Sequence, residues 1–368
     1  MPPLFIRLRI MAYSHFGYGQ RFAVQLGRNW VALFLVILVV LFSFTGRGFF
    51  SPKTLNNILL TSSPALLLAA GETFVIITGG IDLSVGFVRG LISVISAIIM
   101  RDLYARGYSP SFCIPLGIVV GLALGLLPGL INGILVARFR FPPFIATLGM
   151  YGVANGFALR FSKGFPITFL PPEVGQIGNG FFAYFLPGRG LSFFARHADI
   201  VEGEMRNLIG IVPYAIVVVA VLLLIFAFIL SRTQFGQHVY AIGGNIDAAR
   251  RAGIPVERDL IRVYMISSFF AALSGVMYTL RFVTGRADAG SARMLDSVVA
   301  VVIGGASLYG GTGNMIGSII GTLVIGVLET GMVNLGLPTH NKYVYVGVIL
   351  VLAVLIDQFF PEMVRKGE

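Results

Sequence analysis

The chain has few of the residues that most enzymes and metalloproteins use. Its 368 residues include one cysteine, Cys113, and four histidines that show no ligand spacing: His15, His197, His238 and His340. One thiol excludes an internal disulfide, and scattered histidines do not form a metal-ligand pattern. The sequence also lacks G-x-x-x-x-G-K-[ST], the loop that binds ATP phosphates, and any acid pair or nucleophile–base arrangement. We therefore expect no catalytic residue, no metal and no cofactor bound by this chain.

Acidic residues are also scarce, while apolar residues dominate. There are 16 Asp and Glu against 27 Lys and Arg, giving a net charge of +11, and 56% of the chain is hydrophobic. Soluble domains are about 45–50% apolar, and uncharged apolar runs of about 20 residues indicate bilayer spans. Since lipid offers no partner to backbone groups, the spans should be helices. The composition predicts an all-α polytopic membrane protein whose basic residues serve topology and lipid contact, not nucleic acid.

The apolar runs predict about ten transmembrane helices in a single domain at 29–360. They lie near 29–45, 57–78, 84–100, 112–137, 143–161, 211–230, 263–281, 295–311, 315–335 and 343–360. Residues 1–28 and 361–368 are then terminal segments on the same side as the loop at 231–262. That loop is rich in arginine, so the positive-inside rule makes this side, with both termini, cytoplasmic.

The opposite side carries the remaining long connection and several cations. Residues 162–210 are rich in glycine, proline and aromatics, and they predict an extracytoplasmic loop with short interfacial helices, or a docking surface for a partner. Arg281, Arg286 and Arg293 are also expected in outward-facing loops. Within the spans, glycines repeat every four residues at 117–133 and at 313–321, which predicts close helix packing.

A glycine pattern, G-G-x-x-L-x-x-G, interrupts the apolar runs twice. It occurs at Gly79, Gly80, Leu83 and Gly86, and 225 positions later at Gly304, Gly305, Leu308 and Gly311. Broken segments at matching places in two halves of a membrane protein indicate an internal pseudo-repeat and a pathway near the midplane. We therefore expect two pseudo-repeated halves with re-entrant, glycine-rich breaks, covered by protein or water.

Asp82, beside the first break, has two interpretations. It could accept a substrate hydroxyl in a pathway, or it could cap the following helix. The second copy has Ser307 in its place, so the turn itself does not require a charge. Arg89 could pair with Asp82 or extend towards an interface. The candidate pathway residues are Gly79, Gly80, Asp82, Ser84, Gly86, Asn132, Thr147, Gly304, Gly305 and Ser307.

The basic loop contains a segment with the features of a short capped helix. Residues 241–254 read AIGGNIDAARRAGI, with Asn245 at a position that suits an N-cap and Gly253 at one that suits a helix end. A small-residue helix with exposed arginines fits a cleft on another protein; a plain surface helix is the alternative.

Four segments together resemble one family. They are GGIDLSVG at 79–86, GLINGILVARFRFPPFIATLG at 129–149, AIGGNIDAARRAGI at 241–254 and LDSVVAVVIGGASLYGGTGN at 295–314. In this order, over about 28–360, they are similar to the ribose/xylose/galactose-type permeases, the membrane subunits of bacterial carbohydrate ABC importers. Arg89 and Met294 depart from the family pattern, which leaves the substrate open.

The resemblance implies a multi-pass protein of the bacterial inner membrane that imports a monosaccharide or polyol by alternating access. It implies three partners: an ATP-binding subunit, usually a tandem chain, that binds the ATP; a periplasmic sugar-binding protein; and a second copy or close paralogue of this chain. The segment that contacts the ATPase corresponds to Gly243, Gly244, Asn245, Ala248, Ala249, Arg250, Gly253 and Ile254.

Two other functions remain open from the sequence. One is a proton- or sodium-coupled carrier that uses an intramembrane acid, with Asp82, Glu72, Asp296 and Glu329 as the candidates. The other is an ABC permease for a non-sugar solute or a signalling molecule. The energy source separates the coupled carrier from an ABC importer. With ATP maintained, an uncoupler would stop uptake by the coupled carrier but not by the importer.

Overall fold

The structure is a computed structural model that describes residues 30–351 except 47, 195–206, 292, 339, 342–343 and 349–350. The predicted terminal segments at 1–28 and 361–368 lie outside the described residues, as does most of the predicted span at 343–360.

The described part is mainly helical, and helices lie at the predicted positions of the first nine spans. In chain order the elements are α1 (Trp30–Thr45), α2 (Pro52–Ile77), α3 (Val85–Ala105), α4 (Pro110–Ala137), α5 (Pro143–Ser162), α6 (Glu173–Gly178), β1 (Phe181–Leu186), β2 (Gly190–Phe193), β3 (Ile209–Pro213), α7 (Tyr214–Arg232), α8 (Gln234–Gly244), α9 (Ile246–Arg251), α10 (Val256–Phe282), α11 (Arg293–Ile303) and α12 (Met315–Asn334). Among described residues, five helices are long and apolar enough to cross a membrane: α2, α4, α7, α10 and α12. A total of ten spans stays a prediction.

Helix starts follow local chemistry that the sequence displays. Ser51 precedes Pro52 at the start of α2, and its side chain accepts a hydrogen bond from the Thr54 backbone amide. Proline also opens α4 and α5, where its missing amide hydrogen costs nothing. At α12, Asn314 accepts from the Gly317 amide. These caps fix where each helix begins.

Glycines bring α4 against the central helix α10. A side chain at Gly125 would overlap Ala272, one at Gly129 would overlap the Tyr264 carbonyl, and one at Gly133 would lie 2.7 Å from the Ile261 Cα. The four-residue glycine repeat therefore removes the side chains along one face of α4, as predicted.

The connection between α5 and α7 differs from the all-helical prediction. It contains α6 and a three-stranded antiparallel sheet of order β2-β1-β3, in which Ala183 pairs with Phe193 and with Ile211. β1 reads FFAYFL, and aromatic residues favour strands. Gly188 and Gly190, both with positive φ, turn the chain between β1 and β2. The sequence predicts a loop with short interfacial helices or a docking surface here; one short helix, α6, is present, the sheet was not predicted, and the docking surface stays a prediction.

Two further predictions need correction, one about a loop and one about a transmembrane span. The basic loop at 231–262 is largely helical, since it holds α8, α9 and the first turns of α10. The predicted span at 295–311 is a short helix, α11, followed by irregular backbone from Gly304. The glycine pair ends α11 because Gly305 adopts a positive φ of 89°.

Candidate functional site

The first glycine break is an irregular, partly buried segment between two helices. α2 ends at Ile77, residues 78–84 have no regular structure, and α3 begins at Val85. Gly80 lies under Tyr264, whose hydroxyl would be 2.6 Å from an added Cβ. The Ile81 carbonyl accepts a hydrogen bond of 3.0 Å from the Thr147 hydroxyl on α5. Protein therefore covers Gly80 and satisfies the Ile81 carbonyl, while Gly79 is exposed.

Asp82 is fully buried, and its carboxylate bonds Ser84 within the break and Ser267 on α10. Its Oδ1 accepts from the Ser84 amide at 3.0 Å and the Ser84 hydroxyl at 2.5 Å. Its Oδ2 accepts from the Ser267 hydroxyl of α10 at 2.8 Å, and Asn132 of α4 donates to Ser84 at 3.1 Å. The carboxylate therefore organises a turn and binds a neighbouring helix. It does not pair with Arg89.

A second buried carboxylate lies beside this cluster. Glu72 of α2 is fully buried, and its Oε2 accepts a long hydrogen bond of 3.4 Å from the Asp82 amide. Among the described residues, neither Glu72 Oε1 nor Asn132 Oδ1 has a hydrogen-bond partner. The sequence identifies Glu72 only as one of four candidate acids in the apolar runs. That it lies next to Asp82 could not be predicted, because this contact depends on how α2 and the first break fold together.

The second break differs in conformation from the first. Residues 304–314 are irregular, and the Ser307 amide donates to the Thr312 carbonyl at 3.2 Å. Ser307 lies in a partly exposed loop, so it does not occupy a buried site like that of Asp82. In the first copy the first glycine of the pair, Gly79, has a positive φ. In the second copy the positive φ belongs to the second glycine of the pair, Gly305. A structural pseudo-repeat therefore stays a prediction.

The two breaks meet each other and α8 at one place, which we call the glycine junction: Ile77, Gly79, Gly243, Gly310 and Gly311. The Gly311 amide donates to the Ile77 carbonyl at 2.8 Å. A Cβ at Gly310 would lie 2.8 Å from the Gly243 carbonyl oxygen and 2.9 Å from the Gly79 nitrogen. A Cβ at Gly243 would overlap the Ile77 carbonyl oxygen. Backbone packs directly on backbone here, which requires glycine.

A tyrosine on α8 strengthens the same junction. The Tyr240 hydroxyl donates to the Gly313 carbonyl at 2.8 Å. Burial raises the pKa of Tyr240 above its ordinary value, so the phenol keeps the proton that it donates. The sequence assigned Gly243 to a coupling segment and Gly79 to a pathway, but it gave no sign that these glycines touch.

The predicted capped helix in the basic segment is confirmed as α9. The Asn245 side chain accepts a 2.9 Å hydrogen bond from the Ala248 amide, and Gly253 beyond the helix end has a φ of 80°. Ala249 is buried, while Arg250 is exposed. Ala249 thus packs on the protein, while Ala248, Ala252 and the arginines of α9 remain exposed.

A buried aspartate braces α8 on α10. Asp259 accepts from His238 Nδ1 at 2.7 Å and from Arg262 Nη1 at 3.1 Å, and its side chain is almost completely covered. His238 belongs to α8 and the other two residues belong to α10. Sequence reasoning missed this network; the three-residue spacing of Asp259 and Arg262 was its only local sign.

Comparison of the sequence with known proteins identifies one family and several named relatives. Residues 54–354 match the family described as "Branched-chain amino acid transport system / permease component". The chain is 36% identical to the ribose import permease protein of Bacillus subtilis (strain 168), over 88% of this chain and 90% of that one. It is 34% identical to the fructose import permease protein of Rhizobium meliloti, over 95% and 89%. It is 33% identical to the xylose transport system permease protein of Haemophilus influenzae, over 89% and 96%.

No solved structure matches the chain. The family match covers most of the sequence and includes both glycine breaks, the glycine junction and α9. The chain therefore belongs to the family of branched-chain amino acid transport system permease components.

Proposed function

We propose that this chain is the membrane-spanning subunit of an ATP-binding-cassette importer that carries a monosaccharide or polyol across a bacterial inner membrane. A separate subunit binds and hydrolyses ATP, and alternating access moves the solute inward. The relatives above bear the names of ribose, fructose and xylose permeases, which supports a sugar over a branched-chain amino acid.

The glycine junction is the observation that carries this proposal. Asn245 is at once the C-cap of α8 and the N-cap of α9, so no flexible linker separates the two helices. Gly243, two residues earlier, lies against the backbone of Ile77 and of Gly311. A displacement of α9 by a partner therefore reaches both breaks through rigid contacts. An importer driven by an external ATPase needs such a connection.

The surface around α9 suits a docking protein. A cleft of about 480 Å³ lies beside it, with a mainly polar and charged lining of Gln234, His238, Gly253, Arg258, Asp259 and Arg262. A smaller cleft of about 350 Å³ on the other flank includes Arg140 and Arg250. These cations would meet an acidic rim on the ATPase, and the coupling residues are those named for this segment above.

Two further partners complete the proposed transporter. A second copy or close paralogue would complete the translocation pathway, and a periplasmic sugar-binding protein would deliver the solute. The side that carries α6 and the three strands lies opposite α9 in the chain's topology, and we assign it to the binding protein. Both termini are then cytoplasmic.

Co-purification tests the proposal most directly. The tagged full-length chain is isolated from its native membranes in mild detergent, next to an unrelated tagged polytopic protein as control, and everything that co-elutes is identified by mass spectrometry. We expect an ATPase with a phosphate loop and a secreted binding protein. Thermal-shift screening of that binding protein against ribose, xylose, fructose, polyols and leucine then identifies the solute class.

A different result would overturn the proposal. If the chain elutes alone while a reference complex stays intact, and if its vesicles accumulate solute on a proton gradient, then a partner ATPase does not drive it. Uptake abolished by an uncoupler at constant ATP would support the same conclusion.

A further inference from the structure

Residues 284–291, which we call the arm, follow α10 and run beside α3. The arm pairs with Ile167 at Gly285 and continues through turns at 287–291. Gly285 exchanges two backbone hydrogen bonds with Ile167, of 2.8 and 3.0 Å, and the Arg286 amide donates to the Ser93 hydroxyl at 3.2 Å. Further along, Gly290 packs directly on Gly86. The arm therefore lies along α3 from Ser93 to Gly86.

This path takes the arm deep into the transmembrane region. The charged outer turn of α3 carries Arg101 and Asp102. At 1.5 Å per residue, Ser93 and Gly86 lie about 12 Å and about 22 Å further along the helix axis from Arg101. The hydrocarbon core of a bilayer is about 30 Å thick. With Arg101 at the outer edge of that core, its middle, about 15 Å inward, lies between Ser93 and Gly86, so the arm crosses it.

The arm carries charged groups on its exposed side. Arg286 and Asp288 form a two-bonded ion pair, with Nε–Oδ1 at 2.9 Å and Nη2–Oδ2 at 2.7 Å. Their side chains are 46% and 61% exposed, and Ser291 is exposed next to them. Irregular backbone and exposed charges at this depth cannot face acyl chains. This side of the arm must therefore face water or protein.

Other polar groups converge on the arm from the helices around it. Arg89 of α3 is 3% exposed, and its Cζ lies 5.4 Å above the ring of Tyr278. Among the described residues, its Nε and Nη1 have no hydrogen-bond partner. Arg89 is followed by Gly90, where an added Cβ would overlap the carbonyl oxygen of Ala287 in the arm. Two guanidinium nitrogens without partners indicate water or a polar ligand nearby.

Next to the arm, α11 begins with a second ion-pair network. Arg293 Nη1 binds Glu329 of α12 at 2.8 Å and Asp296 at 3.3 Å. The candidates from the first break differ from these groups, because Asp82, Ser84 and Asn132 are enclosed by packed helices. Exposed polar chemistry at membrane depth lies on the arm, not at Asp82.

We propose that the arm lines the solute pathway, and that the Arg286–Asp288 pair, with Ser291, binds sugar or polyol hydroxyls. A carboxylate accepts from two adjacent hydroxyls, while a guanidinium donates to hydroxyl or ring oxygens. The two charges compensate each other, so the site favours a neutral polar solute over an ion or an apolar side chain. The inference specifies the substrate class of the importer and rests on that proposed function.

Cysteine accessibility tests whether the arm faces water. Cys113, the chain's single cysteine, is buried and is first replaced by alanine. Ser291→Cys is then compared with Leu224→Cys, which lies 72% exposed on the apolar helix α7. Membrane vesicles are treated with a permanently charged methanethiosulfonate. We expect Ser291→Cys to react about a hundredfold faster, because a charged reagent enters an aqueous pathway but not the hydrocarbon core.

Two outcomes would overturn the proposal. Equal rates at positions 291 and 224 would mean that the arm does not face water. Rapid oxidative cross-linking of Ser291→Cys between two copies, with no labelling, would mean that a second copy covers the arm. Labelling needs neither the ATPase nor a known solute, so it fails or succeeds independently of the co-purification experiment.

Uptake by the assembled transporter tests the role in binding. Asp288→Asn keeps the size of the side chain but removes its charge. The control is Asp102→Asn, the same change in the Arg101–Asp102 pair on the last turns of α3. We expect Asp288→Asn to raise the ribose, xylose or fructose concentration for half-maximal uptake about tenfold, because a hydrogen bond to a charged group is lost. Asp102→Asn should leave it unchanged. An equal effect of both changes would overturn the assignment.

Discussion

Two neighbouring glycines on α8 offer a controlled test of coupling through the glycine junction. In Gly243→Ala the new methyl group would overlap the Ile77 carbonyl oxygen and lie 2.6 Å from the Gly311 nitrogen. The hydrogen bond between those two groups is 2.8 Å long, so the methyl group must push α8 away or break it. Gly244→Ala meets nothing within 4 Å. The two changes are chemically identical and differ only in this contact.

The size of the effect follows from packing. Inserting a methyl group into a close-packed contact costs about 1–3 kcal/mol. Alanine also favours a helix over glycine by about 1 kcal/mol, but this gain is common to both variants and cancels in the comparison. If the cost falls on the junction, the population with the junction intact drops by about fivefold to about 140-fold, since 1.4 kcal/mol is a factor of ten.

The assay measures solute uptake and ATP hydrolysis in the same proteoliposomes, with the ATPase and binding protein present. We expect Gly243→Ala to bind the ATPase normally but to import at least about fivefold less solute per ATP hydrolysed, in line with the packing cost. Gly244→Ala should behave as wild type. If Gly243→Ala imports with the wild-type ratio, the junction does not transmit force from α9 and the reasoning fails.

Three further predictions concern the elements that position the junction. Asn245→Ala removes the cap of α9 at a cost of about 1 kcal/mol, so it should lower uptake per ATP while Asn245→Asp retains most of it. Ser267→Ala removes a donor from the buried Asp82 carboxylate, and it should destabilise the protein by about 1–3 kcal/mol, measured by size-exclusion chromatography after heating. Gly129→Ala should likewise lower the aggregation temperature because it separates α4 from α10, whereas Gly149→Ala, which faces open space, should not.

Hydropathy and local helix signals give much of this fold. The apolar runs locate the long helices, because burial in lipid is the same requirement for every span, although α10 begins at Val256 and not at 263. Proline at the starts of α4 and α5, and Asn245 before α9, mark helix ends through local backbone chemistry that needs no knowledge of neighbours. The glycine repeat on α4 similarly indicates close packing.

Contacts between distant segments could not be predicted in this way. The arm has an arginine, an aspartate and several small residues, a composition typical of a surface loop. Only its hydrogen bonds with Ile167 and Ser93 show that it lies beside α3. The sheet needs β3 to return beside β1 from beyond residues 195–206. The same limit applies to the glycine junction, whose members Gly79, Gly243 and Gly311 are far apart in the chain.

The structure gives the two glycine breaks unequal support, although their sequences are alike. The first is held by Asp82 to Ser267 on α10, and by Thr147 on α5, so moving it would break several buried hydrogen bonds at once. The second is partly exposed, and Tyr309 at its tip is 79% exposed. Buried polar groups that lose their partners cost far more than exposed ones, which water satisfies. A displacement of α8 therefore moves the second glycine break at a lower cost in free energy than the first. The displacement should pass mainly into residues 304–313, and from there into α11 at the end of the arm.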